Sequence, residues 1–432
     1  MIGFLKNLRT DAVKKKLLEN VFSLSALQGT NYLLMLITLP YLTRVLGVEK
    51  FGLIMFAQAF VRYFLSVTDF GFNLSATRAI SLAHDNKEKQ SEIYSAVMLI
   101  KSLLTIICFA LMLAIVFGFE KFSADWEVYF LTFGMVIGQV LFPIWYFQGI
   151  EKMKYQAIIN FFAKLLFTVS IFIFISAPSD YLYVPLLNSL GFITGGVIAV
   201  FTVLFHFKVS LRIPSLTMLK QQIKEGWNIF ISTISITLLA SINTLILGIF
   251  TNNTIVGYYT GVEKIIQAIK FAPSPIYHAI YPHCAKLAET SKQQCVRFIR
   301  KVARYTFVIA AFVGLVMFLL AENIVVLILG SDYLPATSIF RIFSLLIFAT
   351  PMAYIIFNVA LLSFKLDKYF SRIYLTGALL NLCFITIFIV LLNWQANGAA
   401  LSTVLAQVII TTIAYKTLVK HDIHILQNRD PQ

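Results

Sequence analysis

The strongest constraint on this chain is a succession of apolar blocks, each close to twenty residues long. A helical block of that length matches the hydrocarbon core of a bilayer, which is about 30 Å thick. The blocks are continuously apolar, and they lack the ten-residue alternation of membrane β-barrels. We therefore predict an all-α integral membrane protein with about twelve transmembrane helices.

Hydropathy divides these blocks into two sets of six predicted spans. The first set lies near residues 20–42, 51–73, 93–117, 127–149, 157–177 and 183–206. The second lies near residues 226–250, 255–281, 304–329, 337–363, 371–393 and 396–418. Composition agrees, because 59% of the residues are hydrophobic and only 13% are charged.

The net charge of +15 raises the question of nucleic acid binding. Of the 35 Lys and Arg residues, 26 fall in the terminal segments and in alternate loops that share one predicted side, and three fall in the opposite loops. This bias is typical of cytoplasmic loops in membrane proteins. We therefore predict that both termini are cytoplasmic and that the chain does not bind nucleic acid.

The spans suggest two related six-helix halves, residues 1–207 and 208–432, around a central cavity. The basic, amphipathic segment Lys208–Glu225 joins them. Gly52 and Gly257 hold corresponding places, each at the opening of the second span of its half. Internal repeats of this kind are common in transporters, which handle substrate between the halves.

Motifs for enzyme chemistry are missing from the sequence. It has no GxxxxGK[ST] phosphate loop, no HExxH and no paired-Cys metal pattern. The predicted non-cytoplasmic loops are about ten residues or fewer, which leaves little room for a catalytic compartment. We predict a protein that is not an enzyme and that uses no cofactor.

Charged residues inside the predicted spans are the main candidates for function. A mid-span Arg, Lys or Asp costs about 2.5–3.5 kcal/mol on insertion, so such residues usually face a cavity or a partner. They are Arg62 and Asp69 in the second span, Lys101 in the third, Lys164 in the fifth, Glu263, Lys264 and Lys270 in the eighth, and Arg341 in the tenth. Six are cations, which favours an anionic substrate.

Spacing places two of these pairs on helix faces. Arg62 and Asp69 are seven residues apart, as are Glu263 and Lys270, so each pair shares one face about 10 Å apart along the axis. We predict two charged stripes that face each other across the cavity. The alternatives are a structural salt bridge and, for Lys101, Arg341 and Glu263, side chains that reach the membrane interface.

Uncharged polar and aromatic residues offer two interpretations as well. Gln28, Asn31 and Asn243 could line the cavity and bind sugars, or they could bridge neighbouring helices. The run Phe142–Phe147 could stack on sugar faces, although lipid-facing rings and interfacial belts explain most aromatic residues of membrane proteins.

Several ordered motifs carry a family resemblance. They are the stretches 28–34, 39–47, 69–77 and 143–149, with Phe230–Thr233 and Ile280–Pro282 in the second half. They resemble bacterial O-antigen flippases (Wzx), of the polysaccharide transporter family in the multidrug/oligosaccharidyl-lipid/polysaccharide exporter superfamily. The resemblance implies movement of an undecaprenyl-pyrophosphate-linked sugar repeat across the inner membrane, for lipopolysaccharide O-antigen biosynthesis. It also implies alternating access, membrane lipid as surroundings, and an O-antigen polymerase and a chain-length regulator as partners.

The resemblance and the charges together suggest roles for the residues. A pyrophosphate requires cations, so we expect Arg62, Lys164, Lys264, Lys270 and Arg341 to contact it. The similar lipid II flippases carry charged residues in the first span, whereas this chain has only Gln28 and Asn31 there, so their anion-contact scheme does not carry over to this chain.

Energy coupling and the function class have alternatives. Asp69, and after it Glu263, is the carboxylate best placed to bind a proton or sodium ion, although flipping without a gradient is also open. A drug or cation antiporter of the MATE type is the runner-up, followed by a membrane transferase or polymerase. A cavity rich in cations would repel cationic drugs, which favours the flippase.

Overall fold

The structure, a computed structural model, describes residues 12–425. These residues form helices and connecting turns, with no β-strand among them. Nine helical stretches in this part of the chain are long and apolar enough to cross a membrane, and the first of them, Leu33–Leu82, is 50 residues long. The protein is therefore an all-α, multi-pass membrane protein, as predicted.

The first half of the chain contains eight helices. They are α1 (Ala12–Asp69), α2 (Phe72–Leu82), α3 (Lys87–Gly118), the short α4 (Glu120–Ser123), α5 (Trp126–Leu141), α6 (Ile144–Gly149), α7 (Met153–Phe174) and α8 (Tyr183–Phe201). A turn of π-helix, Thr202–His206, extends α8. The break between α5 and α6 falls at Pro143, which has no N–H to continue the hydrogen-bond ladder.

Eight further helices follow in the second half. They are α9 (Leu216–Phe250), α10 (Asn253–Phe271), α11 (Ser274–Thr290), α12 (Lys292–Leu319), α13 (Ala321–Leu329), α14 (Thr337–Tyr354), α15 (Asp367–Thr386) and α16 (Gln395–Lys420). Each predicted span lies on these helices. Twelve spans remain a prediction, because the nine stretches include neither α9 nor α10, and they join the first two predicted spans in Leu33–Leu82.

The boundary between the first two predicted spans differs from the expectation. Residues 43–50, predicted as a loop, are helical and belong to α1. The helix is interrupted only at Gly47, whose φ of 72° and ψ of 171° lie outside the helical region. Glycine adopts a positive φ without the steric cost that other residues have, so the chain changes direction here within α1.

The described chain forms two compact units. One comprises residues up to Thr38 together with Leu53–Ser241, and the other comprises Leu39–Gly52 with Ile242 and the residues that follow. In the first unit, α5 packs against α8 and α2 against α6. In the second, α12 packs against α14 and α15 against α16. The predicted halves, 1–207 and 208–432, place the division elsewhere and remain a prediction.

Two glycines bring backbones into contact inside the second unit. A Cβ on Gly52 would lie 1.8 Å from the carbonyl oxygen of Asn253, and a Cβ on Gly257 would lie 2.2 Å from that of Val48. Small residues allow this close approach of membrane helices. The glycines that the sequence aligned as repeat partners are therefore packing partners of α1 and α10.

We expect Gly52→Ala to destabilise the protein by about 1–3 kcal/mol or more, because the new methyl group must displace backbone atoms. The measurement is thermal unfolding of the purified protein in detergent. Gly29→Ala is the matched control on the same helix, since a Cβ there would have no neighbour within 4 Å. Equal unfolding temperatures for the two variants would contradict the close contact.

Candidate functional site

A sharp elbow connects α1 to α2 in the first unit. Asp69 ends α1, and Phe70 and Gly71 follow with φ of 48° and 76°. A Cβ on Gly71 would lie 2.8 Å from the Ile229 side chain of α9, so this position combines a positive φ with a close packing contact. The Phe70 ring stacks on Phe230 with ring centroids 4.8 Å apart. The elbow is therefore held rigidly against α9.

Asp69 is buried at this elbow, with only 6% of its surface exposed. Its carboxylate receives a hydrogen bond from the backbone N–H of Gly71. Within the described part of the chain, the carboxylate oxygen Oδ1 has no hydrogen-bond partner. An unsatisfied buried oxygen is costly, so this carboxylate calls for a structural or functional explanation.

Lys101, in the middle of α3, is the cation that interacts electrostatically with Asp69. Its side chain is 1% exposed, so it does not extend to the membrane interface, which was one of its two predicted placements. Burying an ammonium and a carboxylate costs several kcal/mol for each ion, and mutual attraction offsets part of this. The two groups are therefore buried within electrostatic range of each other.

The sequence contained a signal for this pair that hydropathy alone did not use. Asp69 lies four residues before the predicted end of the second span, and Lys101 lies eight residues after the predicted start of the third. The two spans run in opposite directions, so these positions share similar depths in the membrane. Opposite charges at similar depths on consecutive spans indicate a pair.

Two other predicted site residues of the first unit lie elsewhere. Arg62, two turns before Asp69 on α1, has an exposed side chain, and Lys164 on α7 is half-buried. The electrostatic partner of Asp69 in the structure is therefore Lys101, and Arg62 lies at the surface of its unit.

The backbone at Gln28 and Asn31 is helical, but their side chains lie outside the described part of the structure.

The charged residues of α10 lie together in the second unit. Glu263, Lys264 and Lys270 are all half-buried. Glu263 interacts electrostatically with Lys270, which lies two turns further along the helix. Arg341 on α14 has an exposed side chain. The seven-residue spacing therefore does produce an electrostatic pair on α10. The predicted opposition of this stripe to that of α1 remains a prediction.

A buried polar node joins four helices beside Glu263. Asn243 of α9 donates from Nδ2 to the Tyr259 hydroxyl at 3.2 Å and to Thr403 Oγ1 at 2.6 Å. Asn381 of α15 donates to Asn243 Oδ1 at 3.0 Å. Of the two interpretations open for Asn243, these contacts support the helix bridge.

The aromatic run that follows α5 belongs to the core of the first unit. Trp145, Tyr146 and Phe147 have no exposed surface, and Phe142 is 6% exposed. Tyr94 of α3 packs on Trp145 with ring centroids 5.6 Å apart. These rings face neither lipid nor an open surface, so they stabilise the packing of α2, α3 and α6 rather than form a sugar platform.

The described residues contain no evident metal site. No group of three or more His, Cys, Asp and Glu side chains is placed there to hold a metal ion. What these residues offer is a buried carboxylate with an adjacent ammonium in one unit, and a charged stripe on α10 in the other. Such groups can bind anions or exchange small cations within a membrane.

Solved structures with a similar fold are membrane transporters. A lipid II flippase, MurJ, in an inward closed conformation matches with a TM-score of 0.67 and 14% identity, over 94% of this chain and 90% of that one. An inward-facing multidrug resistance transporter of the MATE family matches with a TM-score of 0.64 and 14% identity, over 90% of this chain and 94% of that one. Both similarities concern the fold alone.

Sequence relatives extend over nearly the whole chain. A protein of Escherichia coli (strain K12) with the name "Putative O-antigen transporter" is 29% identical over 400 residues, which are 93% of this chain and 96% of the relative. A protein of the same name from Shigella dysenteriae is 27% identical, over 93% of this chain and 99% of the relative. Residues 17–288 match the profile of a protein family, and by this match the chain belongs to the polysaccharide biosynthesis protein family.

Proposed function

We propose that this protein is a flippase for lipid-linked O-antigen units. It moves an undecaprenyl-pyrophosphate-linked oligosaccharide from the cytoplasmic to the periplasmic leaflet of the bacterial inner membrane, for lipopolysaccharide O-antigen biosynthesis. It breaks no covalent bond of the substrate, and alternating access of a central cavity carries the lipid head group across.

The observation that carries this proposal is the end-to-end similarity to two proteins named as O-antigen transporters. Each alignment covers at least 93% of this chain and of the relative, so the similarity is not limited to one shared segment. The fold, which is similar to that of a lipid II flippase, is compatible with a lipid-linked substrate.

The charged residues provide the chemistry that this substrate requires. In the proposal, Arg62, Lys164, Lys264, Lys270 and Arg341 offset the charge of the pyrophosphate along its path, and Gln28 and Asn31 contact sugars. Asp69, with Glu263 as the second candidate, binds a proton or sodium ion that couples flipping to a gradient. Lys101 joins this set because it interacts with Asp69.

The MATE-type antiporter is the second candidate, because that fold is also similar. Fold alone does not separate the two, since both kinds of transporter match over nearly the whole chain. The charges favour the flippase, because a path with the six proposed cations and two anions would attract a pyrophosphate and repel a cationic drug.

Complementation separates the two functions. We expect the chain, expressed in a strain without its own O-antigen flippase but with a matching repeat unit, to restore surface O-antigen on a lipopolysaccharide gel. The same cells should keep the drug sensitivity of the parent strain. Absence of O-antigen together with increased resistance to cationic drugs would replace the flippase with the antiporter.

The proposed topology has its own test. Reporter fusions at Ala124, Asn252, Asp332 and Asn397 are expected to report the periplasm, since basic residues are rare in the loops on that side. Fusions in the basic loops, at Lys89, Lys220, Lys292 and Lys368, are expected to report the cytoplasm. A reversed result at two or more of these eight sites would refute the twelve-span arrangement with cytoplasmic termini.

A further inference from the structure

An extended strap connects α8 to α9 in the first unit. It consists of residues 207–215, which have no helical structure. Five hydrogen bonds fasten it to the first turns of α3. Three involve α3 side chains that hold the strap by its polar groups: Ser210 N–H to Ser91 Oγ at 3.1 Å, Arg212 N–H to Ser95 Oγ at 2.9 Å, and Ser215 Oγ–H to Glu92 Oε1 at 3.1 Å. The other two join Lys87 Nζ to the Phe207 carbonyl at 3.3 Å and the Arg212 guanidinium to Glu88 at 3.1 Å. The strap therefore has a defined position along α3 and is not a loose linker.

This position is the level at which α3 enters its apolar span. Ser91 and Ser95 lie on either side of residue 93, where the predicted third span begins. One to two turns further along, α3 exposes the apolar side chains of Leu99 and Leu103, as a lipid-facing helix does. The strap is thus fixed at the predicted boundary between head groups and hydrocarbon.

The strap exposes large apolar side chains beside its polar ones. Leu211 is 67% exposed, Ile213 is 99% exposed, and Leu216, at the start of α9, is 75% exposed. Three large aliphatic side chains this close together form a patch that water solvates poorly. At the depth set by Ser91 and Ser95, lipid is the material that can cover them.

Exposed lysine side chains lie around this patch. Lys208, Lys220 and Lys224 are exposed, and the nearby carboxylates, although partly exposed, each contact another group of the protein. Those internal contacts are Glu88 with Arg212 at 3.1 Å, Glu92 with Ser215 at 3.1 Å, and Glu225 with Gln221 at 2.9 Å. A surface with aliphatic side chains beside lysines is typical of segments that lie on anionic membranes.

We propose that the strap and the start of α9 bind the bilayer surface beside α3, with Leu211, Ile213 and Leu216 inserted among the lipid chains. Lys208, Lys220 and Lys224 bind anionic phospholipid head groups. The proposed topology places this surface on the cytoplasmic leaflet. The inference does not depend on the substrate of the protein, so it holds or fails separately from the proposed flippase function.

Insertion of the strap can be tested with a fluorescent probe on a single accessible cysteine. Cys383 is the exposed native thiol among the described residues, so Cys383→Ser provides the background for Ile213→Cys. Asp85→Cys is the control, because the Asp85 side chain is fully solvent-exposed and lies just before α3. In nanodiscs of phosphatidylcholine with one quarter phosphatidylglycerol, we expect aqueous iodide to quench the probe at 213 at least about threefold less than that at 85. A quencher attached to lipid chains should show the opposite order.

The anionic preference can be tested with a triple variant, K208Q/K220Q/K224Q, in the same nanodiscs. We expect it to lose about half or more of the enrichment of phosphatidylglycerol over phosphatidylcholine around the protein, as measured by native mass spectrometry of retained lipids. The control K286Q/K301Q/K368Q removes the same charge from three exposed lysines of the second unit and should keep the enrichment.

Two outcomes would overturn the proposal. Equal iodide quenching at positions 213 and 85 would show that the strap faces water and is open to an aqueous partner. An equal effect of the two triple variants, or no effect of either, would show that lipid preference follows net charge or is absent at the strap.

Discussion

Asp69→Asn is expected to leave flipping slow and equally slow with or without an imposed ion gradient, whereas the parent responds to a proton or a sodium gradient. The reason is that the carboxylate is buried at the elbow, where its Oδ1 has no hydrogen-bond partner among the described residues, and it is the group proposed to bind and release the coupling ion. The measurement is translocation of a lipid-linked oligosaccharide in reconstituted vesicles, with each gradient imposed in turn.

Variants of Lys101 distinguish a coupling role of Asp69 from a purely structural one. Asp69→Asn leaves a buried ammonium without its partner, and Lys101→Gln leaves a buried carboxylate without its partner, so each single change is expected to destabilise the protein by about 3–5 kcal/mol. Asp69→Asn/Lys101→Gln removes both charges and should restore much of the protein level in the membrane. It should not restore the response to a gradient.

The conservative variant Lys101→Arg is the matched control, because it keeps the positive charge beside Asp69. It should keep part of the gradient response at a reduced protein level. If the double variant responds to a gradient like the parent, the pair is purely structural, and Glu263 becomes the candidate for coupling. Because the double variant recovers stability, misfolding does not explain the loss of the response.

Arg62→Ala and Lys270→Ala are each expected to abolish display of O-antigen at the cell surface, with protein at the parent level. The physical reason is that a pyrophosphate crossing the hydrocarbon core needs a positive charge at each stage of its path. The exposed side chain of Arg62 can approach such a substrate, and Lys270 lies half-buried near Glu263 on α10. The measurement is the O-antigen ladder of extracted lipopolysaccharide.

Arg62→Lys should retain part of the ladder, because it keeps the charge but loses the bidentate geometry of the guanidinium. Lys368→Ala is the control for loss of a basic residue outside the path, since Lys368 is exposed and lies in a predicted cytoplasmic loop. Normal ladders from both alanine variants at parent protein level would refute the cationic path.

Much of the fold was predictable from the sequence because a bilayer imposes its requirements along the chain. Each span must be apolar over its own length, so local composition determines where the helices lie along the chain. The charged candidates were found in the same way, because any ionised group inside an apolar block is conspicuous. The family resemblance came from ordered motifs, which are also properties of the linear chain.

The tertiary structure alone decided which of these residues meet. Matching depths on consecutive spans indicate that Lys101 accompanies Asp69, but composition could not show that Asn243 joins four helices or that the aromatic side chains between Phe142 and Phe147 are buried. It also could not show that the strap is fastened to α3 with its aliphatic side chains outward. Hydropathy reports how apolar each stretch of one helix is. These contacts depend instead on how neighbouring helices are rotated and how deep they lie relative to one another. Rotation and depth are determined by packing between side chains that are distant in the sequence.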